Sequence, residues 1–164
     1  MPKPVHPLLV HFPIALLLTS FAADAAYFVT SLQGLRHAGF WMLAGACASG
    51  ALTVLAGLYD MRRAPLNEEV HQRVHRHMWV GVTLYAVIGA LTAWRWSFYS
   101  DPAKEVTMLY LDAAFLAGAL AAFQGWLGGE LVYTHGVFVA TAKKAGEGAA
   151  SGGKDAVVAS PHKH

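Results

Sequence analysis

Four stretches of this chain each run for about the length that crosses the hydrocarbon core of a bilayer, roughly 20 residues. They cover about 8–29, 39–59, 78–98 and 106–132, and the only charges inside them are Asp24, Arg95, Asp112 and Glu130. In hydrocarbon, every backbone N–H and C=O has to find a partner within the protein, so such stretches fold as helices. The links between them are short, which sets neighbouring helices antiparallel. The expected fold is all-α: an integral membrane four-helix up-down bundle over residues 1–139, followed by a disordered tail over 140–164.

Composition agrees. Only 13% of the 164 residues are charged, about half the share usual in soluble domains, and the mean hydropathy is +0.40. A net charge of +2 without a basic stripe gives no footprint for nucleic acid. The single cysteine, Cys47, excludes an intrachain disulfide and a cysteine-based zinc site and reads as a core residue. Ala23-Asp24-Ala25 has the small-residue form of a signal cleavage site, but the first apolar run is longer than a signal core and is expected to remain as a span. The tail is rich in Ala, Gly, Ser and Lys, too polar to bury a core. Its His162 and His164 read as solvated residues.

Alternating the four spans divides the Lys and Arg residues unevenly. Lys3, Arg62, Arg63, Arg73, Arg76, Lys143, Lys144, Lys154 and Lys163 fall on one side, and Arg36, Arg95 and Lys104 on the other. The positive-inside rule then places both termini in the cytoplasm of a bacterial inner membrane. Small residues recur at helical spacing, as close packing in a bilayer favours. One seam is Ala15, Ala22 and Ala26, with His11 on the same face. A second is Ala114, Gly118 and Ala122, followed by Gly125 and Gly129.

The histidines converge. His6 and His11 enter the first span, His71, His75 and His77 enter the third, and His135 leaves the fourth, all on the same side. Intramembrane imidazoles are costly and mark a site by default. His6 and His71 lie further out, where an imidazole equally sits among headgroups. Imidazoles from facing helices suit the axial positions of a haem iron, so His11, His135, His77 and His75 are candidate ligands of haem b. Gly128, seven residues before His135, and Gly81, four after His77, would leave room beside a flat ring. A bare transition metal ion is the alternative, with His71 and His75 one turn apart and Glu68, Glu69 and Glu130 as further donors. Asp60 and Glu130 could each accept the second ring proton of a ligating histidine; the favoured reading of Asp60 is that it ends its helix and pairs with Arg62 or Arg63. Asp24 and Asp112 fall towards the opposite side, within reach of each other, and Arg95 between two tryptophans reads as an interfacial anchor. No nucleophile constellation, phosphate loop or nucleotide fingerprint is present, so no catalytic residue is assigned.

Three stretches, HPLLVHFPIALLL at 6–18, GLYDMRR at 57–63 and GWLGGELVYTHGVFV at 125–139, resemble a family of small bacterial membrane proteins catalogued as domain of unknown function 2231. The resemblance spans roughly residues 5 to 140. It implies a four-helix membrane protein and no established reaction. The recurring positions match His6, His11, Pro13, Asp60, Gly128, Gly129, Tyr133, His135 and Gly136; both His75 and His77 suit the third-helix histidine. Tyr133 joins Asp60 and Glu130 as a residue expected around the ligands. The functional expectation is a haem b protein that passes electrons, with a quinone pool or a redox protein as partner and a homo-oligomer compatible with it. The ligands crowd one membrane face, unlike those of two-haem b-type cytochromes. The other expectations are a non-catalytic structural subunit and a transition-metal protein.

Overall fold

A computed structural model of the chain describes residues 5–63, 68–101 and 103–134. The elements are α1 (His6–Leu9), α2 (His11–Thr30), α3 (Gln33–Arg63), α4 (Glu68–Tyr99) and α5 (Met108–Tyr133). Pro13 lacks the N–H that would bond the Leu9 carbonyl, which separates α1 from α2 at Val10. Together the two form one membrane-length helix, and α3, α4 and α5 supply three more. Packing runs α2 on α3, α3 on α4, α4 on α5 and α5 back on α2, a closed up-down bundle, with α1 laid against α3.

The helices contain the expected spans, apart from Val106 and Thr107, which precede α5. Two of them run well past the apolar stretches. α3 starts at Gln33, and α4 starts at Glu68, so that His71, Arg73, His75 and Arg76 lie on a polar extension of a membrane helix. Hydropathy marks only the part of a helix that needs lipid, and a helix does not stop where the hydrocarbon does. Ser31 turns α2 into α3 in the left-handed conformation (φ 56°), and Thr107 caps α5 by accepting from the Tyr110 N–H.

Leu17, Leu43, Ala46, Leu84, Ile88, Leu91, Ala114, Ala117 and Ala121 fill the centre. Trp41, Leu52, Leu55, Trp79, Phe115, Leu116 and Trp126 point outwards. On a soluble protein so much exposed apolar surface would drive association; on a bundle of this length it is the lipid face.

The expected seams face inwards only in part: Ala114 is buried and Ala26 and Gly118 are half-buried. Ala15 and Ala22 face outwards, as do Ala122 and Gly125. α2 turns in Pro13, Leu17, Ser20, Asp24 and Tyr27 instead, and α5 turns in Tyr110, Ala114, Ala117, Ala121, Gln124 and Leu127. Lipid and core are both apolar, so small residues do not by themselves tell which side of a helix is buried.

The end opposite the histidines is closed by charge. Asp24 and Arg95 are fully buried and joined by two-pronged contact: Arg95 Nη2 donates to Asp24 Oδ1 at 2.8 Å, and its Nε lies 3.1 Å from both carboxylate oxygens. Tyr110 Oη adds a bond to Oδ2 at 3.2 Å. Arg95 is therefore an ion-pair partner in the core rather than an interfacial anchor. Asp112 points outwards and does not meet Asp24. Arg36 donates to the carbonyls of Phe98, Asp101 and Lys104, which fastens the start of α3 to the end of α4 and its following turn.

Candidate functional site at the histidine-rich end

α1 begins without a side-chain cap of its own. Asp60, buried near the end of α3, supplies one from across the bundle: its Oδ2 accepts the N–H groups of Val5 and His6, each at 2.8 Å. A carboxylate at a helix N-terminus meets the orphan donors and the positive end of the dipole. Asp60 thus holds the backbone of His6 rather than the ring of a ligand.

The His6 ring is fixed from the other side. Its Nδ1 lies 2.9 Å from the Thr53 carbonyl oxygen. A carbonyl only accepts, so Nδ1 carries the proton and Nε2 keeps its lone pair. Among the described residues the ring makes no other hydrogen bond. A carbonyl on one nitrogen, fixing tautomer and orientation, is the arrangement found behind metal-ligating histidines. The ring lies over Gly57, where a Cβ would come within 3.1 Å of Nδ1.

His77 enters from α4, its ring 6.0 Å from that of His6 and nearly perpendicular to it (88°). Gln124 of α5 meets it twice: the amide Nε2 donates to the His77 carbonyl at 2.9 Å and stands 3.2 Å from ring Nε2. The backbone oxygen requires the amide nitrogen at that position, so ring Nε2 accepts and Nδ1 holds the proton. That Nδ1, and Oε1 of Gln124, are buried without a hydrogen-bond partner among the described residues. Two such neighbouring groups call for a partner, whether ligand or water. Below them a cavity of about 70 Å³ opens between the helices, lined by His6, Gly50, Thr53, Gly81 and Gln124 among apolar side chains.

Glycines seat these side chains. A Cβ at Gly81 would stand 2.8 Å from the Gln124 amide nitrogen, and one at Gly128 would stand 3.2 Å from His77 Cε1. At the opposite end Gly39 faces the Asp24 carboxylate in the same way, more closely still. The glycines expected beside a flat ring are therefore notches filled by the protein's own polar groups.

The other expected ligands are dispersed. His11 is exposed on the outer face; five residues from His6, it lies about 140° round the helix. His75 is two residues from His77 and so on nearly the opposite side of α4; it pairs with His71 at 4.5 Å between rings. Glu130 binds Arg73 at 2.9 Å and Arg76 at 3.6 Å rather than a histidine. Tyr133 is 91% exposed. His135 and Gly136 lie outside the described residues. Thr53 and Gly57, which complete the site, carry no signal of their own in an apolar helix; Gln124 stands out as an amide in the fourth span, four residues before Gly128, but only the facing histidine reveals its partner.

His6 and His77 are the residues that would hold a metal or haem iron here, their ring centres 6.0 Å apart. The space does not suit a porphyrin in this arrangement, because cofactor pockets measure several hundred Å³ and Gln124 and His77 fill the notches. No three His, Cys, Asp or Glu side chains among the described residues converge on one point.

A family model described as "Predicted membrane protein (DUF2231)" matches residues 2–141. No curated protein and no solved structure matches the chain.

Proposed function

The chain belongs to the DUF2231 family of predicted membrane proteins, and from that premise we propose that it carries an imidazole-ligated iron centre, haem b, between His6 and His77 on one membrane face. The observation that supports this most is the His6 ring, held by Thr53 through Nδ1 with Nε2 free of hydrogen bonds among the described residues, and a second half-buried imidazole at 6.0 Å. A resident bare ion would find only two side-chain nitrogens at this point, short of the three or four protein ligands that hold such an ion permanently. A porphyrin brings four nitrogens of its own and needs just two. Its iron would supply one-electron transfer. Gln124 sits on His77 Nε2 and in the Gly81 notch, and the cavity measures about 70 Å³, so seating the ring requires that the amide swing away and that the helices part at this end. His6, His77 and Gln124 are then the residues that bind and admit the group; His11 takes no part.

The setting we propose is a bacterial inner membrane with both termini cytoplasmic, following the Lys and Arg imbalance. A quinone or a redox protein would exchange electrons at the histidine-rich end. A transition metal ion is the alternative occupant.

A structural subunit is the second reading, favoured by one observation: the polar contacts at this end tie one helix to another, α1 to α3 and α4 to α5. Haem content of the purified full chain separates the two. His6→Ala and His77→Ala should each remove the haem, His11→Ala should leave it unchanged, and Gln124→Ala should keep it or raise it. Haem retained in both His6→Ala and His77→Ala would overturn the assignment; a wild type that takes up no haem would leave the structural subunit.

A further inference from the structure

The polar extension of α4 carries a histidine pair that the site above does not use. His71 and His75 stand one helical turn apart, with ring centres 4.5 Å apart at 47°. His71 is exposed and His75 half-buried, so both are reached from water. The neighbouring cations do not crowd them. Arg73 and Arg76 lie on another side of the helix and reach across to Glu130 of α5. His77, two residues further on, points into the bundle. The rings therefore form a separate unit on a continuous helix, which holds their spacing without ordering any loop.

We propose that His71 and His75 form a two-nitrogen chelate for a borderline divalent cation of the copper, nickel or zinc class, independently of any iron at His6 and His77. Imidazole suits these metals, and i, i+4 positions share one face of a helix. Two nitrogens at about 2.0–2.1 Å from a common ion need only small rotations of rings already 4.5 Å apart. The remaining coordination positions stay open to water or to a donor from another molecule. Closed sets of four protein ligands make structural sites, whereas open ones exchange. The pair is thus a capture site at the membrane edge, able to take up a metal and release it.

The test uses the full-length chain in detergent, stripped of metal, with His162→Ala and His164→Ala to remove the tail imidazoles. One equivalent of Cu²⁺ is added, nitrogen couplings are read by electron paramagnetic resonance, and Zn²⁺ affinity is measured by calorimetry. The expected spectrum shows two coupled nitrogens. His71→Ala or His75→Ala should drop one of them and weaken binding by roughly tenfold or more, with the thermal transition unchanged, since neither ring is in the core. His6→Ala and His77→Ala should leave this binding as it was. A His71→Ala/His75→Ala chain that binds Cu²⁺ and Zn²⁺ like its parent would overturn the proposal. So would a parent that binds neither at equimolar concentration.

Discussion

The residues that decide this structure are the few polar ones its apolar helices enclose, and four of them have a glycine facing them. Asp24 lies against Gly39, His6 against Gly57, Gln124 against Gly81 and His77 against Gly128. An aspartate buried with its arginine is costly to leave alone. Asp24→Asn, which strands the Arg95 cation in the core, should cost about 3–5 kcal/mol. Replacing both partners by apolar residues of similar size should cost much less than the sum of the single changes, a cycle that thermal unfolding in detergent measures. Gly39→Ala should itself lose about 1–3 kcal/mol by driving a methyl into the Asp24 carboxylate. Gly89→Ala, with nothing within 4 Å of its Cβ, should gain a few tenths to about 1 kcal/mol from helix propensity. Equal effects at the two glycines would contradict the notch. The sequence displays all these residues, but it does not pair them. A glycine in an apolar helix reads alike as a helix contact, a seat for a ring or a seat for a carboxylate.

At the scale of the element, the four spans were legible because bilayer thickness fixes helix length. Their rotation was not. Only in the buried polar residues does the inner face of α2 differ in chemistry from its outer one, and His11, placed on the inner seam by its alanines, turns to the outside. His6, ranked below the other ligand candidates because it lies further out, turns inwards because Asp60 draws the start of α1 onto α3. That contact is itself testable. Asp60→Ala removes an N-terminal cap, which should cost about 0.5–2 kcal/mol. It should also speed hydrogen exchange through Val5–Leu9, while α5 exchanges as before. Unaltered protection of α1 would show that Asp60 does not hold it. The same logic explains the ends of α4: its polar first turns escape any hydropathy threshold, yet they carry His71 and His75 onto a rigid support.

At the scale of the molecule, a bundle of four membrane-length helices has closed its two ends differently. One end is a charge-paired lock, in which Arg95 joins α2 and Arg36 joins the loop after α4 to α3. The other sets His6, Thr53 and Gln124 around a cavity, with His77 Nδ1 and Gln124 Oε1 lacking partners among the described residues. Both ends leave buried nitrogens without a partner among the described residues, Arg36 Nε and Arg95 Nη1 at the first and His77 Nδ1 at the second, but only the second sets its ring nitrogen and the Gln124 amide oxygen beside a cavity where a ligand could reach them. The convergence of histidines on one face was visible from the order of spans. Which two of them meet was not, because it depends on helix rotation. The most direct test is the absorption spectrum of the full chain purified from haem-replete cells, oxidised and then reduced with dithionite. A sharp Soret band that shifts on reduction, with resolved α and β bands that vanish in His6→Ala and in His77→Ala, is the predicted result. A flat spectrum in both states, from protein that unfolds cooperatively, would contradict a haem centre at this site.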